Sequence, residues 1–198
     1  MTEIQPEHFS PFPPDYRASG ILLHVTSLPS PYGIGDIGPA ALSWIDRIHD
    51  AGQSWWQALP MGPTGYSNSP YQPLSSFAGN GLLISPDDLI NDGLLRSDDL
   101  YVAHSSSTST DYINVIPLKH LLLEAAWSSF NSGARPDLRE AYEQFCNIQV
   151  HWLDDYALFR ALKIKYGGVH YLQWPQELVR RVPIAMAGAR QSSLQEIE

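Results

Sequence analysis

The sequence is poor in cysteine, in positive charge and in long apolar runs, and each shortage excludes a class of protein. Its single cysteine, Cys146, rules out an internal disulfide and any cysteine-based zinc site. Lys and Arg number 12 against 21 Asp and Glu, so the formal net charge is −9 and a nucleic-acid backbone would be repelled. No apolar run approaches the roughly 18 residues that a membrane span needs. Residues 1–20 lack the basic start and apolar core of a secretory signal.

The composition is that of a folded protein of one domain or slightly more. The 198 residues are 43% hydrophobic and 17% charged, which is too apolar for a disordered chain and too polar for a membrane protein. With one cysteine and no targeting segment, we expect a cytoplasmic location. The six Trp and ten Tyr are informative because aromatic faces stack on sugars, although packing in the core accounts for most residues of this kind.

The first third of the chain has the pattern of a strand, a helix and a second strand. Four prolines favour an irregular arm over residues 1–19. Apolar runs at 20–25 and 55–60 are typical of short buried strands, and between them the apolar residues of 39–51 repeat at helical spacing. We therefore predict a βαβ unit with parallel strands and a right-handed crossover.

A long polar loop follows the second predicted strand, over residues 61–73. In parallel α/β sheets and barrels, ligands bind beyond the carboxyl ends of the strands, which is where this loop would lie. It carries two tyrosines and several Ser, Asn and Gln side chains that can hydrogen-bond to sugar hydroxyls. On composition alone, a loop that only packs on its own sheet is an equally good interpretation.

The second half of the chain is predicted to be helical. The run Ser85-Pro86-Asp87-Asp88 has the form of a helix N-terminus, so its two acids are assigned to capping rather than to acid–base catalysis. Gly167-Gly168 is expected to end the longest helical pattern. Apolar spacing and punctuation predict helices over 117–130, over 138–166 as one helix or two, after Trp174-Pro175, and from 191 onward.

The usual catalytic motifs are mostly absent, and one weak motif has to be weighed. There is no nucleophile elbow, Walker phosphate loop, zinc-protease helix or cysteine pair. Residues 33–38 fit the pattern G-x-G-x-x-G between a predicted strand and helix, which is the context of a dinucleotide site. The loop that contains them is long and holds two prolines and Tyr32, and no acid ends the second strand. Nucleotide binding is therefore a minor alternative.

Isolated titratable residues are assigned to structure. Asp154 and Asp155 are adjacent on a predicted helix, so their side chains point about 100° apart and cannot converge as an acid and a base on one bond. A solvated or salt-bridged helix face is the better interpretation. His24, in the first predicted strand, is interpreted as a core histidine with its hydrogen bonds satisfied, and Cys146 as a packing residue.

Two longer segments are distinctive as sequences: residues 20–38, and residues 57–72 followed closely by 75–80. Shorter segments at 111–112, 152–159, 167–168 and 174–175 accompany them. Together these segments resemble the 4-α-glucanotransferases of glycoside hydrolase family 77, also called amylomaltases or disproportionating enzymes. The resemblance covers about residues 17–178.

The resemblance implies an α/β fold: the N-terminal part of a (β/α)8 TIM barrel with an inserted, mainly helical subdomain, the barrel being incomplete in this chain. The chain then divides into an irregular arm (1–19), the first β/α units with a sugar-binding loop (20–85), and a helical insertion with the start of the next barrel element (86–198). Because a barrel usually takes about 250 residues and two strands make no stable sheet, we expect the front part of a larger enzyme.

The resemblance also implies an activity, which is the transfer of α-1,4-glucan segments between maltodextrin, starch or glycogen chains by a retaining double displacement. It implies no metal and no organic cofactor. The family's nucleophilic Asp, its acid–base Glu and its supporting Asp belong to later barrel strands. No catalytic residue is therefore assigned within 1–198, and Asp36, Asp111, Asp154 and Asp155 are not promoted to that role.

The resemblance assigns three substrate-binding residues. Ser69 and Tyr71 match positions that line donor-side glucan subsites near the cleavage point, and Tyr66 matches an aromatic residue of a second glucan contact. Two departures affect the loop: Ser67-Asn68 replaces the Gly-Asp of some relatives, and Gly81 replaces a Pro. Two alternatives stay open, namely a truncated, catalytically inactive fragment that at most binds glucan weakly, and a helical interaction module built on 117–198. The sequence does not indicate an oligomeric state.

Overall fold

The computed structural model describes Pro13 and residues 15–100 and 109–193. Most of the predicted N-terminal arm and residues 194–198 of the last predicted helix lie outside this part of the chain. The strands are β1 (Gly20–Leu22) and β2 (Trp55–Gln57). The helices are α1 (Pro39–Asp50), α2 (Pro86–Asn91), α3 (Tyr112–Asn131), α4 (Arg139–Lys165), α5 (Gln176–Val179) and α6 (Pro183–Ser192).

The predicted βαβ unit is present at the start of the described chain. Strands β1 and β2 are parallel neighbours, with Gly20 opposite Trp55 and Leu22 opposite Gln57. They are three residues long, half the predicted length, and a 3-10 turn at Val25–Ser27 follows β1 within the predicted run. Helix α1 connects the two strands and begins at Pro39, as predicted.

The core below α1 joins this helix to the loops on either side of it. Val25 and Leu28, from the segment after β1, pack with Ala41 of α1 and with Leu83. Trp44 and Trp56 close the cluster from its edge. This packing holds the carboxyl ends of both strands, and therefore the loops that follow them, against one small core.

The helical half differs from its prediction at the helix ends. Helix α3 begins at Tyr112, five residues earlier than predicted, because the Asp111 carboxylate accepts a hydrogen bond from the backbone N–H of Ile113 at 3.1 Å. The helix continues through Pro117. Helix α4 is a single helix of 27 residues, which settles the alternative of one helix or two, and Gly167 with positive φ follows its end as predicted.

The end of the described chain was predicted incorrectly. Residues 191–192 are the last residues of α6 rather than the start of a new helix, and α6 itself begins at Pro183. Proline at the first helical position was the available signal. Helix α6 packs through Ala189 against Leu158 and Trp174. No helix among the described residues is both long and apolar enough to cross a bilayer.

Candidate substrate-binding site

The loop after β2 folds as a short hairpin-like segment, which we define as residues 63–74 and call the loop hairpin. The backbone N–H of Gly65 donates to the carbonyl of Gln72 at 3.1 Å, and the N–H of Leu74 donates to the carbonyl of Pro63 at 2.8 Å. A Cβ atom on Gly65 would come within 2.9 Å of the Gln72 carbonyl oxygen, so this close approach requires glycine. The predicted polar loop is therefore ordered by main-chain hydrogen bonds within the segment itself.

The tip of the loop hairpin is formed by two residues in the left-handed region. Ser67 has φ 60° and Asn68 has φ 55°. Asn tolerates this region, whereas Ser carries a cost of about 1–2 kcal/mol relative to Gly. Ser67 therefore places local backbone strain at the tip of the loop hairpin.

Two of the three predicted sugar-contacting residues lie together just after this tip. The Ser69 hydroxyl accepts a hydrogen bond from the backbone N–H of Tyr71 at 3.3 Å, and the Ser69 carbonyl accepts one from Gln72 N–H at 3.2 Å. The Tyr71 side chain is 69% exposed. Tyr66 belongs to the 3-10 turn at the tip, but its side chain lies outside the described part of the structure.

The segment after the hairpin is attached to helix α4 through an aromatic contact that the sequence did not indicate. The Ser75 hydroxyl accepts from the N–H groups of Phe77 and Ala78, both at 3.1 Å, and shapes the turn. The Phe77 ring stacks on Trp152 of α4, with the ring centroids 5.9 Å apart and the planes inclined by 16°. The chain that leads out of the loop hairpin therefore contacts α4.

A cavity of about 510 Å³ lies between the loop hairpin and helices α3 and α4. We call it the polar cavity, and its polar lining includes Asn68, Asn80, His120, Tyr156 and Arg160. Burial raises the pKa of Tyr156, and the nearby positive charge of Arg160 opposes that shift. These residues come from four separate stretches of chain, so no local sequence motif indicated them.

A buried ion pair fixes the glycine-rich segment before α1. Lys119 of α3 donates to Asp36 at 3.0 Å and to the carbonyl of Ile84 at 2.8 Å, and both charged side chains are at most 5% exposed. A Cβ on Gly38 would meet the Ser85 hydroxyl, so the glycine motif serves packing within the chain itself. This gives the G-x-G-x-x-G pattern a role without a nucleotide.

The ion pair also sets opposing pKa shifts. Burial raises the pKa of Asp36, although the attraction of Lys119 opposes the shift. Burial lowers the pKa of Lys119, and the negative charge of Asp36 opposes that shift.

The other isolated acids are also engaged in structure. Asp111 caps α3, and the two carboxylate oxygens of Asp155 accept from Arg181 at 2.6 Å and from Arg190 at 2.8 Å. The prediction of a salt-bridged face is thus confirmed for Asp155. Within the described ranges, no group of three or more His, Cys, Asp or Glu side chains converges as a metal site.

His24 was predicted to be a core histidine with its hydrogen bonds satisfied, and the structure differs from this prediction. Its imidazole is half-buried beyond the carboxyl end of β1, and its buried Nδ1 has no hydrogen-bond partner in the described structure. Desolvation lowers the pKa of this histidine.

Comparison with known proteins identifies the family. The family model described as 4-alpha-glucanotransferase matches residues 23–198, which is most of the chain. The chain belongs to the 4-alpha-glucanotransferase family. The 4-alpha-glucanotransferase of Synechocystis sp. is 43% identical over 173 residues, which are 87% of this chain and 34% of that protein. The 4-alpha-glucanotransferase of Thermus thermophilus is 40% identical over 181 residues, or 91% of this chain and 36% of that protein.

A solved structure of the same family supports the fold. An amylomaltase from Streptococcus agalactiae in complex with acarbose superposes with a TM-score of 0.85 at 32% identity. The match covers 92% of this chain and 37% of that one. The chain therefore spans about a third of the length of the 4-alpha-glucanotransferases that it matches, and the loop hairpin lies inside the matched region.

Proposed function

We propose that this chain supplies one side of the glucan-binding cleft of a 4-α-glucanotransferase that acts on α-1,4-linked maltodextrin, starch or glycogen chains. In this proposal residues 20–85 contribute the first β/α units of a (β/α)8 barrel, 86–198 contribute a helical insertion and the start of the next barrel element, and 1–19 form an arm. The resemblance of the segments before and within the loop hairpin, together with the family membership, supports it. A cytoplasmic location is the expectation from composition.

The main observation in support of the proposal is that Tyr71 lies exposed on the loop hairpin. An exposed tyrosine ring offers a flat apolar face to the C–H surface of a glucosyl unit. The bond from Tyr71 N–H to the Ser69 hydroxyl keeps the backbone of Tyr71 next to the Ser69 side chain, so both residues belong to the same turn. The hydroxyl of Ser69 has a second lone pair with which to accept from a sugar, and a proton to donate.

We propose that the polar cavity, beside the tip of the loop hairpin, binds a second segment of glucan. Asn68 and Asn80 provide amide groups, and His120 and Arg160 provide donors, in a space that opens next to the tip of the hairpin. A sugar needs several hydrogen-bonding partners at once, and this set offers both donors and acceptors. We therefore assign the second contact to this side of the loop.

The proposed chemistry is a retaining double displacement. A carboxylate attacks the anomeric carbon while an acid protonates the leaving 4-oxygen, and the glycosyl group then passes to the 4-OH of a second glucan. Within this chain the strongest acidic candidates are otherwise engaged, because Asp36 is paired with Lys119, Asp111 caps a helix and Asp155 binds two arginines. The family resemblance implies that the nucleophilic Asp, the acid–base Glu and the supporting Asp belong to later barrel strands, and the catalytic acids are assigned there on that ground.

A titration tests the binding half of the proposal. The ¹⁵N-labelled chain is titrated with maltohexaose, and we expect saturable shifts of backbone amides in the loop hairpin. Tyr71→Ala should weaken binding about fivefold or more, since it removes an aromatic contact of about 1 kcal/mol. Phe145→Ala on the outer surface of α4, where the ring is 49% exposed, serves as the matched control. Shifts confined to residues away from the hairpin would overturn the site assignment.

An activity assay tests the catalytic half of the proposal. Incubation of the complete gene product with maltotriose should yield glucose and longer maltooligosaccharides, whereas residues 1–198 alone should yield neither. Disproportionation by residues 1–198 alone would refute the assignment of the catalytic acids outside them. Failure of the complete product to disproportionate would instead favour the alternative of an inactive fragment that at most binds glucan weakly.

A further inference from the structure

The polar cavity contains a positive charge that a neutral glucan would leave without a partner. The chain has 21 Asp and Glu against 12 Lys and Arg, yet none of the described residues that line the polar cavity is acidic. The titratable residues of the lining are His120, Tyr156 and Arg160. In a chain with a formal net charge of −9, this cavity is therefore a place where an anion meets a cation and no carboxylate.

Arg160 differs from the other basic residues of α4. Lys163 and Lys165 both donate hydrogen bonds to oxygen atoms of the chain itself. Arg160 is half-buried, and within the described ranges its guanidinium forms no hydrogen bond and no ion pair. A half-buried charge without a partner is costly, and the five N–H donors of a guanidinium match the oxygens of a phosphate or carboxylate group.

The uncharged part of the lining fits a sugar. The side-chain carbonyl of Asn80 accepts from the backbone N–H of Leu82 at 3.0 Å, which leaves the NH₂ group of Asn80 available as a donor. Asn68 adds a second amide and Thr64 a hydroxyl. The volume of about 510 Å³ lies within the range of about 300–1,000 Å³ that is usual for small-molecule sites. The polar cavity therefore has room for a glucosyl unit together with a charged substituent.

Among anionic substituents, a phosphate monoester fits this lining better than a carboxylate. It carries a charge of about −1.5 to −2 at pH 7 and three strong acceptor oxygens. One phosphate can therefore accept both N–H groups of the Arg160 fork and a ring N–H of His120, whereas a carboxylate has a single charge and two oxygens.

We propose that the polar cavity binds a sugar that carries a phosphate monoester, with the guanidinium of Arg160 as the partner of the phosphate. The amide and hydroxyl groups of the lining bind the sugar ring. The sugar is a phosphorylated glucosyl unit of an α-1,4-glucan or a free sugar phosphate, which share this chemistry. The inference rests on the proposed function, since it gives the chemical class of the ligand at the proposed second glucan contact.

A comparison of matched sugars tests the charge. The ¹⁵N-labelled 198-residue chain is titrated at constant ionic strength with glucose 6-phosphate, glucose, glucuronic acid and inorganic phosphate. We expect glucose 6-phosphate to shift backbone amides of 64–68, 79–82 and 116–123 saturably, with an affinity at least about tenfold higher than that of glucose. Equal affinities of glucose 6-phosphate and glucose would overturn the proposal, as would equally tight binding of glucuronic acid or of inorganic phosphate.

Three variants test the role of Arg160. Arg160→Gln should lower the affinity for glucose 6-phosphate to that for glucose, and Arg160→Lys should give an intermediate affinity because it keeps the charge and loses the fork. Arg180→Gln is the matched control, since it removes the same charge from an exposed arginine after α5. A preference for phosphate that persists in a folded Arg160→Gln chain would overturn the assignment, and the comparison of sugars decides the proposal even if a variant fails to fold.

Two longer ligands identify the source of the phosphate and separate this inference from the proposed function. Maltohexaose that carries one 6-phosphate should bind more tightly than glucose 6-phosphate if the ligand is a phosphorylated glucan, and equally tightly if it is a free sugar phosphate. Shifts of the loop hairpin by maltohexaose, without any preference for phosphate, would overturn this inference alone. A preference for phosphate without any response of the loop hairpin to maltohexaose would overturn the glucan assignment and support a free sugar phosphate.

Discussion

Replacement of Lys119 by methionine is expected to produce a large and pH-dependent loss of stability. The change keeps most of the side-chain volume and removes the ammonium that bonds Asp36 at 3.0 Å and the Ile84 carbonyl at 2.8 Å. It also removes a cation that lies 5.5 Å from the centroid of the Tyr32 ring. Asp36 is 4% exposed and would be left without its cation in a site that water reaches poorly.

The expected loss in the free energy of unfolding is large because removing one partner of a buried ion pair costs more than replacing both partners. Removing one partner leaves an uncompensated charge and costs about 3–5 kcal/mol. With a urea m value of about 2 kcal/mol/M, the midpoint of unfolding should fall by about 1.5–2.5 M. Replacing both partners, in Asp36→Leu with Lys119→Met, should recover most of this loss because no charge is then buried.

The pH dependence distinguishes a lost charge from lost packing. In the native protein burial raises the pKa of Asp36 and Lys119 opposes the shift, so removing Lys119 should raise the pKa further. The folded state then holds a proton that the unfolded state has released, and the free energy of unfolding falls as the pH rises above the unfolded pKa of about 4. The deficit of Lys119→Met should therefore be small near pH 4 and grow toward neutral pH.

Urea unfolding monitored by circular dichroism, at several pH values between 4 and 8, measures both effects. Arg96→Met is the matched control, since Arg96 pairs with Asp98 at 3.6 Å on the surface and should contribute at most about 1 kcal/mol. A deficit for Lys119→Met that is below 1 kcal/mol at pH 7, or that does not change with pH, would refute the reasoning.

Three further substitutions test local parts of the fold. Ser85→Ala removes the hydroxyl that accepts from Asp88 N–H at the start of α2 and should cost about 1 kcal/mol by urea unfolding. Gly35→Ala places a Cβ against the Val25 carbonyl and 2.7 Å from that of Leu28, so we expect a loss of several kcal/mol or failure to fold on expression. Tyr32→Phe removes the hydrogen bond from the Tyr32 hydroxyl to Asp87 at 2.5 Å and should lower the free energy of unfolding by about 1–2 kcal/mol in the same assay. An unchanged free energy of unfolding would contradict a stabilising role for this bond.

Local signals explain the parts of the fold that the sequence predicted. The apolar runs before and after α1, with Pro39 at its first position, were sufficient to place β1, α1 and β2 in a parallel unit. Ser85 with Pro86 likewise located the start of α2, and Gly167 the end of α4. Each of these signals acts within a few residues, so one sequence contains all the information needed to interpret it.

The buried ion pair shows why other features could not be predicted. Lys119 lies on the same face of α3 as Val115, Leu122 and Ala126, all of which are buried. Periodicity places a residue on that face but does not say that a lysine there has a partner, and Asp36 lies 83 positions earlier in the chain. Leu121 of the same helix is as hydrophobic as Leu122 but is 59% exposed, so hydrophobicity alone does not identify which side of α3 packs.

Part of the candidate site could be predicted from the sequence, and part of it depends on contacts between residues that are far apart in the chain. The residue types of Ser69 and Tyr71 came from the sequence, but the geometry that presents them comes from main-chain bonds of the loop hairpin and from the contact of Phe77 with Trp152 on α4. That ring contact joins positions 75 apart, so no local pattern contained it. Because Phe77 contacts both His151 and Trp152 of α4, we expect packing at α4 to influence the position of the chain that leads out of the loop hairpin. A substitution at Trp152 should therefore weaken maltohexaose binding without touching the sugar, and its effect should be non-additive with that of Phe77→Ala because both remove the same contact.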